Sequence, residues 1–169
     1  MPVVEHSGSR FIRDPKPSDE AVWRRLWSGY TGFYEVHVPE AVTALTWSRI
    51  LDENVPIFAR IAGYDGEVVG FAISTLHPST WTPDLNCYLE DLFVDQDARG
   101  HGVGRALIDD ILKMAKDQGW DRVYWHTDSG NRTARALYDR YTKADGFVRY
   151  RIPLSDYIEG GNTEREPIR

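Results

Sequence analysis

A single cysteine, Cys87, in 169 residues leaves no internal disulfide framework and no multi-cysteine metal site. No apolar run approaches the ~18 residues of a membrane span. The opening MPVVEHSGSR lacks a basic segment leading into an apolar stretch, so no secretory signal is expected, and the cytoplasm is the expected compartment. Basic residues are in deficit. With 20 Lys+Arg against 26 Asp+Glu the net charge is −6, which argues against nucleic acid as a bulk electrostatic partner. His6, His37, His77 and His101 show no paired metal-ligand spacing, and no metal is expected. Repeats and low-complexity blocks are also missing. What is present is the balance of one globular domain, 41% hydrophobic and 27% charged. A chain of this size buries roughly 70% of its unfolded surface without staples.

The apolar spacing alternates between strand-like and helix-like. Residues 10–13 read as a short strand. Pro17-Ser18-Asp19-Glu20 supplies start chemistry for a helix carrying Val22, Trp23, Leu26, Trp27 and Tyr30. Pro39-Glu40 opens a second, with Val42, Leu45, Thr46 and Ile50 along one side. Strands are expected at 57–62 and 68–76, joined by a hairpin turn at Tyr64-Asp65-Gly66, and again at 86–94. A helix follows at 103–117, ended by Gly119, then a strand at 122–127, a helix at 131–141 and a final strand at 146–154. That order implies an α/β domain over 10–154, a mixed sheet with helices on both faces. A polar tail, 155–169, is expected to fray.

The most informative stretch is Arg99-Gly100-His101-Gly102-Val103-Gly104-Arg105, between a strand and an amphipathic helix. Alternate glycines let a backbone approach a ligand closely, and a helix that starts there aims unpaired N–H groups and its dipole at one spot. Such a turn makes an anion site suited to a pyrophosphate. Glycines alone are equally consistent with a turn that binds nothing. The spacing fits neither a Walker loop, which needs Gly-Lys-Ser/Thr, nor the dinucleotide GxGxxG.

Arg99-x-x-Gly102-x-Gly104 resembles the acyl-CoA signature (Q/R-x-x-G-x-G/A) of the GNAT N-acetyltransferase superfamily. The resemblance extends upstream through Tyr88-Leu89-Glu90-Asp91-Leu92-Phe93-Val94 and downstream through Asn131-x-x-Ala134-x-x-Leu137-Tyr138. Val123-Tyr124-Trp125-x-Thr127-Asp128 is similar to the histone and polyamine acetyltransferase branch, as is Tyr88-Leu89-Glu90-Asp91. The match spans roughly residues 10–154 and is motif-specific over 88–138. One departure stands out: Gly146-Phe147 come eight residues after Tyr138, where the family places Gly-Phe four after its tyrosine.

The resemblance implies a mixed, mostly antiparallel sheet of six to seven strands, with a splayed parallel pair (88–94 and 122–127) at its centre. It implies acetyl-CoA as cosubstrate, with pantetheine amides on the backbone of Leu92, Phe93 and Val94. The pyrophosphate would lie on the amides of Arg99, Gly100, His101, Gly102, Val103, Gly104 and Arg105, and Asn131 would hold the pantetheine arm. Tyr138 becomes the general acid that protonates the leaving thiolate; a core aromatic is its alternative role. The base is open between Glu90 and His126. Aromatics from Trp23 to Trp47 are explained by helix packing, yet Tyr34, Glu35, Trp81 and Asp91 form an expected acceptor region able to take an ammonium group. The implied reaction is acetyl transfer to a primary amine, either a small, polyamine-like one or a protein lysine or N-terminus, by direct attack in a ternary complex. A second reading is a non-catalytic acyl-CoA-binding module with a protein partner. Many relatives pair, so a homodimer is expected, using the final strand and the exposed sheet edge. Neither nucleic acid nor membrane is an expected partner.

Overall fold

The computed structural model describes residues 8–156, in two compact units divided after Asn131. The expected tail falls almost wholly outside the described residues. The first unit carries β1 (Arg10–Arg13), α1 (Glu20–Phe33), α2 (Glu40–Leu51), β2 (Ile57–Tyr64), β3 (Glu67–Pro78), β4 (Leu85–Val94), α3 (Val103–Gln118) and β5 (Arg122–Trp125). The second holds α4 (Arg132–Tyr138).

The five strands form one sheet in sequence order, antiparallel from β1 to β4, with β5 parallel to β4. The helix-to-strand alternation read from the sequence is therefore realised as a mixed α/β sheet. Its faces differ. α1 and α2 cover the side bearing Ala59, Ile61, Phe71 and Ile73, and bury Trp23, Leu26, Trp47 and Ile50 there. Trp23 is completely buried and packs 5.0 Å from Trp47 and 5.4 Å from Trp27, centroid to centroid. α3 crosses the other face with Val103, Leu107, Ile108 and Ile111 buried, and it ends on Gly119 in the left-handed region (φ 71°), as the sequence implies. Ahead of α1, a buried Asp19 takes two hydrogen bonds from Arg13 (2.6 and 2.9 Å), which hold its carboxyl below the usual range.

Within β4 the register slips by one: Ile73 faces Asp91 but Ser74 faces Leu89, leaving Glu90 as the extra residue of a bulge. The bulge puts both Tyr88 and Asp91 on the α1 side, while Leu89 and Leu92 face α3.

The sheet has five strands among the described residues, not six to seven, and its parallel pair, β4 and β5, lies at one edge and not at the centre, because no further strand is there to cover β5. Residues 146–154 alternate as a strand should, yet form no ladder: Phe147, Val148, Tyr150 and Leu154 are 86, 73, 91 and 83% exposed. Alternation supplies a propensity, and only a paired edge and a covered face turn it into a strand. β5 ends at Trp125 instead of 127, and α4 at Tyr138 instead of 141.

Candidate functional site

The β4–β5 ladder runs from Asn86 opposite Arg122 to Leu89 opposite Trp125 and stops at the bulge, while β4 continues to Val94. Beyond the bulge, Leu92, Phe93 and Val94 pair with Ala72, Phe71 and Gly70 of β3 alone. Their other edge faces the opening, the form of backbone that an amide-rich ligand can extend. Part of it is already engaged, because Arg99 Nε donates to the Val94 carbonyl (3.1 Å) with its guanidinium 5.8 Å above the Phe93 ring. Thr127 Oγ1, two residues past β5, is buried with no protein partner, a polar atom that a ligand between the strands would satisfy.

The glycine turn follows. The Arg99 amide donates to Gln96 (3.2 Å), closing a short 3-10 turn, so of the expected phosphate donors this one is spent. Gly100 (φ 82°) and Gly102 (φ 75°) then adopt left-handed geometry that disfavours any side chain. Gly102 is the N-cap of α3, its carbonyl accepting from Ala106 N at 3.0 Å, and no side chain caps the helix start. Val103 is buried beneath the turn, while Arg105 is exposed and pairs with Asp109 (3.5 Å). An uncapped helix N-terminus of this kind is a form of backbone that can take an anionic group. A Cβ at Gly102 would meet the guanidinium of Arg10.

On the α1 side of the bulge lies a second cluster. Tyr30, on the third turn of α1, donates its hydroxyl to the Asp91 carboxylate. Burial pushes the Asp91 carboxyl up to about 6, the Tyr30 bond opposing that rise and the charge of Glu90 adding to it. Tyr30 meets Tyr34 edge-on at 5.1 Å and Phe93 at 6.2 Å. Tyr34, in turn, hydrogen-bonds Asn131, and burial raises its phenol. An expected acceptor residue and an expected coenzyme residue thus touch. Tyr34 is nonetheless 42% exposed, and the other two acceptor expectations lie in solvent as well: Glu35 at a left-handed turn position (φ 53°) and Trp81, 82% exposed in the loop after β3.

The two candidate bases differ. Glu90 is exposed at the bulge, next to Asp91. His126, also exposed, has Nδ1 3.4 Å from Tyr88 Oη, and Tyr88 stacks on Tyr124 (5.1 Å, 24°). Tyr124 Oη lies 2.8 Å from His77 Nε2, while His77 Nδ1 is 2.9 Å from the Pro78 carbonyl. A carbonyl can only accept, so neutral His77 carries its proton on Nδ1 and accepts from Tyr124 through Nε2. The sequence names Tyr30, Tyr88, Tyr124 and His126 one by one, and nothing in it lines up the aromatic row or sets Tyr30 against Asp91. The signal was faint, residues two apart on strands that pair only in the fold. Tyr138 closes α4 in the second unit, half-buried. Cys87 is fully buried, and burial pushes its thiol up to about 11, so it offers no thiolate for an acyl-enzyme. Among the described residues no group of three His, Cys, Asp or Glu could hold a metal ion.

The acetyltransferase (GNAT) family matches residues 20–142. The chain is 34% identical over 143 residues to a D-amino-acid N-acetyltransferase of Saccharomyces cerevisiae, covering 83% of this chain and 88% of that one. It is 30% identical over 105 residues to a thialysine N-epsilon-acetyltransferase of Caenorhabditis elegans, covering 59% of this chain and 65% of the relative. A ribosomal-protein-alanine N-acetyltransferase from Brucella melitensis shares the fold, with a TM-score of 0.73 at 23% identity over 86% of this chain and 99% of that one.

Proposed function

The chain belongs to the acetyltransferase (GNAT) family and transfers an acetyl group from acetyl-CoA to an amine, and from that premise we propose that its acceptor is a small primary amine bound between α1 and the β4 bulge. The observation that carries this reading is the half-buried Asp91 carboxylate, held by Tyr30, whose ring meets Tyr34 and Phe93, beside the point where the β4–β5 ladder ends. A carboxylate beside aromatic rings attracts an ammonium group. The relatives that acetylate D-amino acids and thialysine support such an acceptor, and a polyamine is the further member of that class.

The roles follow from the groups present. Amides from Gly100 to Arg105 and the dipole of α3 hold the coenzyme's phosphates, and the free edge of Leu92 and Phe93 aligns its amide arm, with Asn131 and Thr127 beside it. Asp91 draws the ammonium in. Loss of one proton, to Glu90 or to His126, leaves a neutral amine whose nitrogen forms the new C–N bond as the C–S bond breaks. The departing thiolate takes a proton from the Tyr138 phenol, and the second proton shed by the acylated nitrogen, through solvent, restores that phenol. The transfer is direct, in a ternary complex. The catalytic domain spans 10–154, works in the cytoplasm, and pairs as a homodimer through the exposed apolar residues of 146–154.

A coenzyme-thiol release assay tests the acceptor class, using D-amino acids, thialysine, spermidine and a lysine peptide with acetyl-CoA. Turnover on the small amines at kcat/KM well above the peptide supports the reading. Preference for the peptide contradicts it, and binding of acetyl-CoA with no turnover on any amine supports a coenzyme-binding module instead.

A further inference from the structure

Two residues outside the glycine motif reach its turn from the far edge of the sheet. Arg10 and Tyr64 face each other in the β1–β2 ladder. Arg10 Nη1 donates to the His101 carbonyl at 3.0 Å, and the Tyr64 ring lies 4.6 Å from the His101 imidazole. His101 Nδ1 also approaches the Ala98 carbonyl (3.4 Å). The side chain and the carbonyl of this one residue are thereby both gripped, in a turn where left-handed glycines stand on either side of it. Glycine flanks leave a peptide plane free to rotate unless something outside the turn fixes it.

We propose that Arg10 is a positioning residue for coenzyme binding, fixing the His101–Gly102 peptide so that its N–H faces the phosphates. In a trans peptide the C=O and N–H point in opposite directions, and the described chain has no cis bonds. Holding the carbonyl toward β1 therefore turns the Gly102 N–H away from β1. A guanidinium on the carbonyl also polarises that peptide and strengthens the N–H as a donor. Tyr64 supports the same residue through its ring. This inference rests on the turn being the phosphate cradle, and it explains why the Gly102 Cβ direction is filled by Arg10. It adds a residue 89 positions before Arg99, since 99 − 10 = 89, to a site otherwise read from a short motif.

The test compares two acetyl donors on the best amine acceptor: acetyl-CoA, and S-acetyl-pantetheine, which has the thioester and amide arm but no phosphates. Arg10→Ala should raise KM for acetyl-CoA about tenfold, the weight of one charge-assisted hydrogen bond, with kcat little changed and S-acetyl-pantetheine kinetics unaffected. Arg10→Lys, which keeps a cationic donor, should recover most of the loss, and Tyr64→Leu should show a smaller shift of the same pattern. An unchanged KM for acetyl-CoA in Arg10→Ala overturns the proposal, and so does an equal loss with both donors, which marks a general structural role. Failure of the cradle reading looks different: the wild-type protein itself would use the two donors with the same KM.

Discussion

Under α3 the sheet presents mostly small and aliphatic side chains, Ala62, Ala72, Cys87 and Leu89 beneath Leu107, Ile108 and Ile111, with Phe58 against Trp120 beside them; under α1 and α2 it presents Phe71 against Trp23 and Trp27, with Trp47 on Trp23. The α3 face also holds a charged pair, Arg60 with Asp110 at 2.6 Å, and at one end of its helix an uncapped backbone. The aromatic face changes along its length, from the sealed Trp23 to the half-buried Tyr30 and on to Asp91, a carboxylate held in apolar surroundings. Backbone amides recognise a constant group such as a phosphate whatever side chains surround them. An acceptor that differs between relatives has to be read by side chains. One face thus offers uncapped backbone donors, and the other a carboxylate among aromatic side chains.

Substitutions that remove one side and spare the other would sharpen this contrast. The largest effect is expected at the root of the aromatic face. Trp23→Ala should cost about 3–5 kcal/mol, the range for emptying a buried aromatic site, whereas Ile111→Val under α3 should cost about 0.5–1.5 kcal/mol. Chemical denaturation followed by tryptophan fluorescence and circular dichroism compares them, and equal losses would erase the distinction. Next comes Tyr138→Phe, expected to slow turnover about 10²-fold with coenzyme affinity intact, since only the transition state loses a donor; a fully active variant would return Tyr138 to packing.

Gly102→Val should weaken acetyl-CoA binding more than tenfold in a protein that still folds. A branched side chain at φ 75° is strained and collides with Arg10. Calorimetry that found wild-type affinity would remove the turn from the coenzyme site. The smallest effect is a pH dependence. The Asp91 carboxyl sits at about 6 in the fold against 3.8 ordinarily. Below pH 4 the group is neutral in both states and costs nothing. As pH rises toward 6 the unfolded chain ionises first, so the folded state loses stability, fully so above 6. Asp91→Asn should therefore be more stable than wild type at pH 8, on the order of 1 kcal/mol, with the advantage gone near pH 4 and acceptor turnover reduced. A variant less stable than wild type at pH 8 would show Asp91 to be a structural partner of Tyr30.

How far the sequence reached divides along the same line. The turn at Gly100–Gly104, the helix after it and the strand before it were legible because their chemistry lies in consecutive backbone, which a motif records. Element order held for the same reason. The sixth strand was lost because the alternation at 146–154 says nothing about whether an edge is there to pair with. Asp91 was expected only as an acceptor contact. Its carboxyl rises through burial beneath Tyr30, 61 positions earlier in the chain (91 − 30 = 61), which no local pattern encodes. The bulge at Glu90 was equally hidden, because a one-residue register slip belongs to two strands at once.

Initial rates with acetyl-CoA and the preferred amine varied together test most directly that the two faces meet in a single transfer step. The account predicts double-reciprocal lines that intersect, with no coenzyme thiol released until the amine is added. Parallel lines, with a stoichiometric burst of thiol from acetyl-CoA alone, would contradict it, because they require an acyl-enzyme and Cys87, the chain's one cysteine, is fully buried with its thiol pushed up to about 11.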